Sequence, residues 1–249
     1  MATLSLNTVS TSTRMHRLSY RLPKPSLYSL SLHRLRRSTI KIQAEAAGST
    51  MDSSSGCSDS IGHALGLVSI FSAASGQAVL IKDLWDQDEG MAVVALLRHF
   101  GCPCCWELAS VLRDSKSKFE SAGVKLVAIG VGTTDKACIL AERLPFPLEN
   151  LYADPDRKAY DVMGLYYGLA RTFFNPASTK VFSRYESLKE AVKNYTIKAT
   201  PDDRSSVLQQ GGMFVFKGKE LVFARKDEGT GDHAPLDDVL HICCKVPAA

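Results

Sequence analysis

Three cysteines within four residues are the part of this sequence best suited to chemistry. Cys102 and Cys105 are three positions apart, so on a helix their side chains would meet on one face within reach of a disulfide. Cys104 is two positions from Cys102 and is expected to point elsewhere. A thiol at a helix N-terminus can have its pKa lowered from ~8.5 to roughly 3.5–7.5, because free N–H groups and the helix dipole favour the thiolate. The spacing therefore favours Cys102 as the attacking thiolate and Cys105 as its resolving partner.

Two other interpretations of this cysteine cluster stay open. A structural metal site would need four ligands, and the cluster offers at most three thiols and His99. The third interpretation is that the thiols are inert and half-buried. The order of a strand, a CxxC motif and a helix favours redox chemistry of the thioredoxin type.

The residues around the cluster predict the elements that position it. Residues 91–97 form an unbroken apolar run of strand length, which is typical of a strand covered on both faces. Gly101 allows a turn, Cys102 suits the N-cap, and Pro103 suits the first helical position. The helix that follows is expected to end at Gly123.

The remaining elements follow a strand–helix–strand rhythm. We predict a buried strand at 124–131, a helix from 132–135 to Leu144, a short strand at 148–152, and a helix that begins with Asp154 as N-cap and runs through Met163. A hairpin is predicted from 64–71 and 77–84, another from 209–216 and 220–225, and a last helix from Pro235 to about Cys243. This order predicts an α/β fold with a central mixed β-sheet flanked by helices and an N-terminal hairpin extension.

Residues 164–200 form an insertion that is rich in aromatic side chains. A helix is predicted from Ser183 to Tyr195, with Ser183 and Glu186 as a capping box. The rings would either cover the cysteine turn and shape an apolar entrance or pack against the sheet. Cys138, Cys243 and Cys244 lie on predicted helices and are interpreted as ordinary thiols.

The first 44 residues differ in composition from the rest of the chain. They contain eight Lys or Arg, thirteen Ser or Thr, and no Asp or Glu. This composition is typical of an organellar transit peptide, and it favours the chloroplast, with the stroma as the expected compartment. A mitochondrial presequence and a disordered basic tail are the alternatives. Residues 45–62 are expected to be a flexible linker, and residues 63–249 the folded domain.

Charge and composition exclude several classes of function. The whole chain has a net charge of +4, but residues 45–249 carry 22 basic and 26 acidic side chains, a net charge of −4. We therefore expect no nucleic-acid binding. No run has the length of a membrane span, so none is expected. Gly130-Val-Gly132 lacks the third glycine of a dinucleotide loop, so no nucleotide or flavin cofactor is predicted.

Three separated motifs resemble those of the peroxiredoxin-like 2 family, AhpC/TSA-type antioxidant proteins with a thioredoxin-like fold. The motifs are Arg98-His-Phe-Gly-Cys-Pro-Cys-Cys-Trp-Glu107, Gly211-Gly-Met-Phe-Val-Phe216 and Gly231-Asp-His-Ala-Pro-Leu-Asp-Asp-Val-Leu240. The resemblance covers roughly residues 64–243. With the basic N-terminal segment, it indicates a plant chloroplast member of that family.

The resemblance implies a thiol oxidoreductase with an antioxidant role. The CxxC pair of the family maps onto Cys102 and Cys105, and thioredoxin or glutathione is the implied source of electrons. Some relatives reduce lipid endoperoxides. Typical peroxiredoxins place Pro and Thr or Ser seven and three residues before the peroxidatic Cys, where this chain has Ala95 and His99 when counted from Cys102.

Overall fold

The structure is a computed structural model and describes residues 55–245. The predicted transit peptide, residues 1–44, and residues 45–54 of the predicted linker lie outside the described residues. The linker prediction is wrong from residue 55 onwards, because helix α1 spans Ser55–Gly66. Ile61 and Leu65 lie one turn apart on that helix and pack into the core, which stabilises it despite its polar composition.

Within residues 55–245, seven strands form one mixed β-sheet. They are β1 (Ser69–Ser72), β2 (Ala78–Leu80), β3 (Met91–His99), β4 (Val124–Val131), β5 (Leu151–Ala153), β6 (Gly212–Lys217) and β7 (Glu220–Lys226), in the spatial order β2-β1-β5-β4-β3-β6-β7. Strand β4 is parallel to β3 and to β5, whereas β1, β2, β6 and β7 pair antiparallel. Both predicted hairpins are confirmed, although the first is shorter than predicted.

Strand β3 lies at the centre of the sheet and is covered on both faces. Val93, Ala95 and Leu97 face one core cluster, while Val94 and Leu96 face the other. This alternation follows from the two-residue repeat of a strand, and both faces are apolar because helices cover both. The apolar run at 91–97 therefore correctly predicts a buried central strand.

Seven further helices surround the sheet. They are α2 (Pro103–Asp114), α3 (Lys116–Ser121), α4 (Thr134–Arg143), α5 (Lys158–Val162), α6 (Leu169–Phe173), α7 (Tyr185–Ala191) and α8 (Leu236–Lys245). Helices α2, α4 and α8 contribute buried residues to the first cluster, whereas α1 and α5 contribute to the second. This three-layer arrangement confirms the predicted α/β, thioredoxin-like fold with a mixed sheet between helices.

Two helix boundaries differ from those predicted. The cysteine helix breaks at Ser115 into α2 and α3 and does not run unbroken to Gly123. Asp154 is not an N-cap, because α5 starts four residues later, after Arg157 in the left-handed conformation (φ 61°). Its Oδ2 accepts instead from the backbone N–H of Ala159 at 2.8 Å.

The predicted capping box in the insertion is also wrong. Ser183 lies inside a 3₁₀-helix that spans Pro176–Arg184, and α7 begins only at Tyr185. The N-cap residue of α7 is Arg184, whose side chain makes no capping hydrogen bond. Contacts made by Arg184 and Tyr195 with distant parts of the chain, described below, position this segment in place of local capping.

Candidate active site

Helix α2 begins at the cysteine turn as predicted. Cys102 is its N-cap, with extended backbone angles (φ −91°, ψ 119°), and Pro103 is its first residue. The carbonyl of Cys102 accepts from the backbone N–H groups of Cys105 and Trp106 at 2.9 and 3.2 Å. Cys102 therefore lies at the positive end of the helix dipole, which favours a negative charge there.

All three thiols of the turn are buried and reduced. Cys102 is 2% exposed, Cys104 7% and Cys105 0%. Hydrogen bonding with Cys104 and with Cys105 affects the pKa of Cys102, so the side chains of all three cysteines lie close together. The expectation that Cys104 points elsewhere is therefore wrong. Helical spacing does not apply at Cys102, because an N-cap has extended backbone angles.

A buried guanidinium group lies against the same sulfur. Arg98, at the end of β3, donates from Nη1 to Cys102 Sγ at 3.3 Å. Its Nε donates to the carbonyl of Gln209 at 3.0 Å and its Nη2 to the carbonyl of Val207 at 2.7 Å. These two carbonyls fix the orientation of the guanidinium plane. The backbone N–H of Arg98 also donates to Cys105 Sγ at 3.2 Å.

Hydrogen bonding and charge favour the thiolate form at Cys102 over its two neighbouring cysteines. Donation from Cys104 and Cys105 lowers the pKa of the Cys102 thiol well below its usual value, against the opposing effect of burial, and the charge of Arg98 adds to the lowering. Burial and donation to Cys102 raise the pKa of Cys105. Donation to Cys102, with burial, likewise raises the pKa of Cys104. These opposite shifts favour a negative charge on Cys102 and the thiol form of Cys104 and Cys105.

His99 lies beside the cluster as a neutral imidazole. Burial lowers the pKa of His99 to about 4, although the neighbouring Cys102 opposes the shift. Its Nδ1 is buried and has no hydrogen-bond partner within the described part of the chain. Near neutral pH, therefore, the fixed charge that contacts the Cys102 sulfur is that of Arg98. The sequence alone does not show which of Arg98 and His99 carries the charge beside Cys102.

The insertion contacts the cysteine turn from outside. Tyr195 donates from its hydroxyl to the carbonyl of Gly101 at 2.9 Å, and its ring packs edge-on against Trp106 with centroids 5.3 Å apart. A Cβ at Gly101 would lie 2.1 Å from Oγ1 and 2.4 Å from Cα of Thr200. Gly101 is thus required for this close approach as well as for the turn.

An ion pair fastens the insertion to α2. Arg184 lies with its Nε 3.1 Å from Oε1 of the buried Glu107, and its Nη2 donates to the carbonyl of Gly231 at 2.5 Å. Burial raises the pKa of Glu107, and the charge of Arg184 opposes that shift. One side chain therefore joins the insertion, the cysteine helix and the loop before α8.

Four aromatic side chains of the insertion are largely exposed, so they neither cover the thiols nor pack against the sheet. Tyr167, Phe173, Phe174 and Tyr185 are 49%, 64%, 82% and 58% exposed. The ring that covers the turn is Tyr195, at the end of the insertion. An apolar entrance built from the exposed rings is therefore not what the structure shows.

A surface cavity of about 510 Å³ adjoins the site. Its lining residues are Ile197, Thr200, Pro201, Asp202, Arg204 and Val207. Thr200 contacts the cysteine turn, and the carbonyl of Val207 holds Arg98. The cavity thus shares one lining residue with the surroundings of Gly101 and another with the carbonyls that hold Arg98.

The other described cysteines lie apart from this arrangement. Cys138 and Cys244 are exposed, Cys243 is buried, and none of the three is in a disulfide. From residue 55 to residue 245, no group of three or more His, Cys, Asp or Glu side chains is arranged to hold a metal ion. In the same range, we find no helix with the length and hydropathy that a membrane span requires.

Solved structures with the same architecture are peroxiredoxins. Peroxidoxin BcpB from Mycobacterium tuberculosis superimposes with a TM-score of 0.50 at 16% identity, over 72% of this chain and 93% of that one. Xanthomonas campestris peroxiredoxin Q gives a TM-score of 0.50 at 11% identity, over 73% and 92% of the two chains. At these identities the likeness concerns the fold.

Sequence relatives are more similar. The Arabidopsis thaliana thioredoxin-like protein AAED1, chloroplastic, is 33% identical over 224 residues, which is 87% of each chain. Bovine prostamide/prostaglandin F synthase and bovine peroxiredoxin-like 2C are each 29% identical over 68% of this chain and cover 80% and 74% of their own lengths. The family model of the AhpC/TSA antioxidant enzyme matches residues 111–229, which begins after the three thiols.

The family follows from these relatives together with the fold. The similarity to the Arabidopsis protein extends over most of both chains, and the mixed sheet with its covering helices is that of the peroxiredoxins. The protein therefore belongs to the peroxiredoxin-like 2 family of AhpC/TSA antioxidant-type proteins, which have a thioredoxin-like fold.

Proposed function

We propose that the protein is a thiol-dependent oxidoreductase that reduces a peroxide or a disulfide through Cys102 and Cys105. Family and fold support thiol-based redox chemistry in general. The observation that carries the specific proposal is the Cys102 sulfur, at the N-cap of α2, with Arg98 at 3.3 Å and two thiol donors. Such surroundings stabilise a thiolate, which is the nucleophilic form of cysteine.

With a peroxide, the Cys102 thiolate attacks one oxygen and breaks the O–O bond. The products are Cys102 sulfenic acid and an alkoxide or hydroxide ion, which takes up a proton to become an alcohol or water. The Cys105 thiol then attacks the sulfenic sulfur, releases water, and leaves a Cys102–Cys105 disulfide. With a disulfide substrate, Cys102 attacks one sulfur, releases the other as a substrate thiol and forms a mixed disulfide. Cys105 then attacks the Cys102 sulfur, releases the second substrate thiol and leaves the Cys102–Cys105 disulfide. Thioredoxin or glutathione then returns two electrons to the pair.

Two chemical classes of oxidant, a peroxide and a disulfide, fit the proposed chemistry. Three relatives in the same family carry the name prostamide/prostaglandin F synthase for cattle, pig and human proteins. An apolar peroxide is one candidate on that ground. The exposed rings of the insertion do not lie at the thiols, and the cavity beside Arg98 is lined by polar as well as apolar residues, so a polar peroxide or a protein disulfide is an equal candidate.

Turnover by the full-length protein tests the proposal. We expect peroxide- or disulfide-dependent consumption of NADPH when thioredoxin and its reductase, or glutathione and its reductase, are supplied. Cys102→Ser should abolish this activity, and Cys105→Ser should stop it after the first step. Cys138→Ser is the matched control, because Cys138 is a thiol outside the cluster. Wild-type turnover no faster than that of Cys102→Ser would contradict the proposed enzymatic function.

A second function, a redox-sensing module without turnover, is favoured by one observation. Cys102 is 2% exposed beneath the insertion, which restricts the access of a substrate. A sensor of this kind would form the disulfide reversibly, change its affinity for a partner protein, and leave NADPH unconsumed. A metal-holding module receives no support, since residues 55–245 contain no suitable ligand group.

We also propose that the protein works in the plastid. The basic, acid-free segment of residues 1–44 and the Arabidopsis relative named as chloroplastic support this location. The full chain fused to a fluorescent protein should accumulate in the stroma, whereas residues 45–249 should not. Accumulation in mitochondria or in the cytosol would contradict the proposal.

A further inference from the structure

His233 is a buried imidazole whose two nitrogens both face hydrogen-bond acceptors. Its Nδ1 lies 2.8 Å from Oδ2 of Asp227, and its Nε2 lies 3.3 Å from the backbone carbonyl of Cys104. A carbonyl oxygen only accepts, and so does an ionised carboxylate. An imidazolium donates to both of these acceptors, whereas a neutral ring can donate to only one of them.

Asp227 is buried, so its carboxylate needs a compensating charge, and His233 is placed to supply it. Its side chain is 2% exposed, and its Oδ1 has no hydrogen-bond partner within the described residues. A buried carboxylate without a compensating charge is costly, so the proton on His233 Nδ1 stabilises it. Gly211 leaves room for the pair, since a Cβ there would lie 3.1 Å from Asp227 Oδ2 and 2.4 Å from the Leu96 carbonyl.

The loop between β7 and α8 holds His233 in place from both sides. On one side, Asp232 accepts from the backbone N–H of Glu228 at 3.2 Å and from Nη2 of Arg225 at 2.9 Å. On the other, Arg184 donates to the carbonyl of Gly231. The imidazole is thus fixed by the fold and has little freedom to turn away.

The contact with Cys104 places the imidazolium at the first turn of α2. Cys104 is the second residue of that helix, and Cys102 is its N-cap. Burial lowers the pKa of His233, and the charge of Arg184 lowers it further. The charge and hydrogen bond of Asp227 and the negative charge at Cys102 raise it. The net result is a pKa of His233 above its usual value. Glu107 is a further charged group that interacts with His233.

We propose that His233, held as an imidazolium by Asp227, is a positioning residue that stabilises the thiolate of Cys102 and loses part of its own proton affinity when that thiolate is consumed. The inference rests on the proposed function, because it concerns the same nucleophile. Coupling between two charged sites is reciprocal, so the effect of each group on the pKa of the other has the same size. Oxidation of Cys102 removes its negative charge and thereby weakens the hold on the His233 proton.

The first test is the pH dependence of Cys102 alkylation in the full-length protein, followed by mass spectrometry. His233→Gln removes the charge and keeps a side chain that can donate to the Cys104 carbonyl. We expect the pKa of Cys102 to rise by about 0.5 to 1, a threefold to tenfold loss of thiolate relative to thiol. Asp227→Asn should act in the same direction, since a neutral amide no longer holds the second proton. His241→Gln, at an exposed histidine, should leave the profile unchanged.

The reciprocal test keeps His233 and therefore does not depend on the folding of its variants. NMR titration of the His233 ring should give a lower pKa in Cys102→Ser than in the reduced wild type, by the amount found in the first test. An identical His233 titration in both proteins, or a Cys102 pKa unchanged in a folded His233→Gln variant, would overturn the inference. If wild-type Cys102 itself has an ordinary pKa, the proposed nucleophile fails and the role of His233 fails with it. A depressed Cys102 pKa that His233→Gln leaves in place contradicts the role of His233 alone.

Discussion

At the residue scale, the chemistry depends on how one sulfur anion is surrounded. Arg98 supplies a permanent charge in a fixed orientation, because the carbonyls of Gln209 and Val207 hold its other nitrogens. Cys104 and Cys105 supply thiol donors, and His99 stays neutral near pH 7. A buried thiolate is stable only with such compensation.

Replacement of Arg98 by methionine tests the part played by its charge. Because a hydrogen bond to a charged group contributes about 1.5–3 kcal/mol, the pKa of Cys102 should rise by about one to two in Arg98→Met. In the wild type, alkylation of Cys102 is lost only as the pH falls through its depressed pKa. In the variant it is lost at higher pH, while the plateau rate at alkaline pH stays similar.

Arg143→Met is the matched control for this change, because Arg143 is an exposed arginine on α4. Its pH profile should coincide with that of the wild type. A profile of Arg98→Met that also coincides with the wild type would show that the helix N-terminus and the two thiols suffice without the guanidinium.

At the element scale, the insertion decides how Cys102 is reached. The ion pair between Arg184 and Glu107 joins the insertion to α2. At the end of the insertion, the Tyr195 hydroxyl donates to the carbonyl of Gly101 in the cysteine turn. Arg184 is 32% exposed at its side chain, whereas Glu107 is 5% exposed. Loss of the arginine thus leaves a carboxylate buried without its partner, which is the costly half of such a pair.

Arg184→Met should therefore loosen the insertion. We expect a loss of about 1–2 kcal/mol in the free energy of unfolding, less than for a fully buried pair because solvent screens Arg184. Amide hydrogen exchange in residues 176–191 should become roughly fivefold to thirtyfold faster, and Cys102 should be alkylated faster at alkaline pH.

Lys193→Met offers the comparison within the same segment, because Lys193 pairs with Glu190 on an exposed surface. Such pairs contribute little, so exchange should barely change. Equal exchange in Arg184→Met and Lys193→Met would mean that the ion pair does not hold the insertion.

At the scale of the whole molecule, local patterns predict the fold well where an element is uniform. The apolar run at 91–97 and Pro103 correctly place the central strand and the start of α2, since periodicity and backbone restriction act locally. The sequence does not reveal α1, whose stability comes from the packing of Ile61 and Leu65 against the rest of the domain. Nor does it position the insertion, whose attachments join residues far apart in the chain.

The same distinction separates the predicted from the unpredicted site residues. Cys102 can be predicted from its position at a helix start, but spacing does not separate Cys105 from Cys104, because the N-cap residue has extended backbone angles. Arg98 gives one signal, a charged residue at the end of an apolar strand four positions before Cys102. His233 lies in the third motif that resembles the family, but its spacing does not link it to the thiols, because Asp227 and Cys104 are brought to it by the loop before α8 and by the docking of α2.

The most direct measurement of the central claim is disulfide mapping after one equivalent of oxidant. Full-length reduced protein would be treated with one equivalent of hydrogen peroxide, remaining thiols alkylated, and the peptides identified by mass spectrometry. We predict a Cys102–Cys105 disulfide, with Cys104 and Cys138 alkylated. A Cys102 that remains a free thiol, or one that pairs with Cys104 instead of Cys105, would contradict the account.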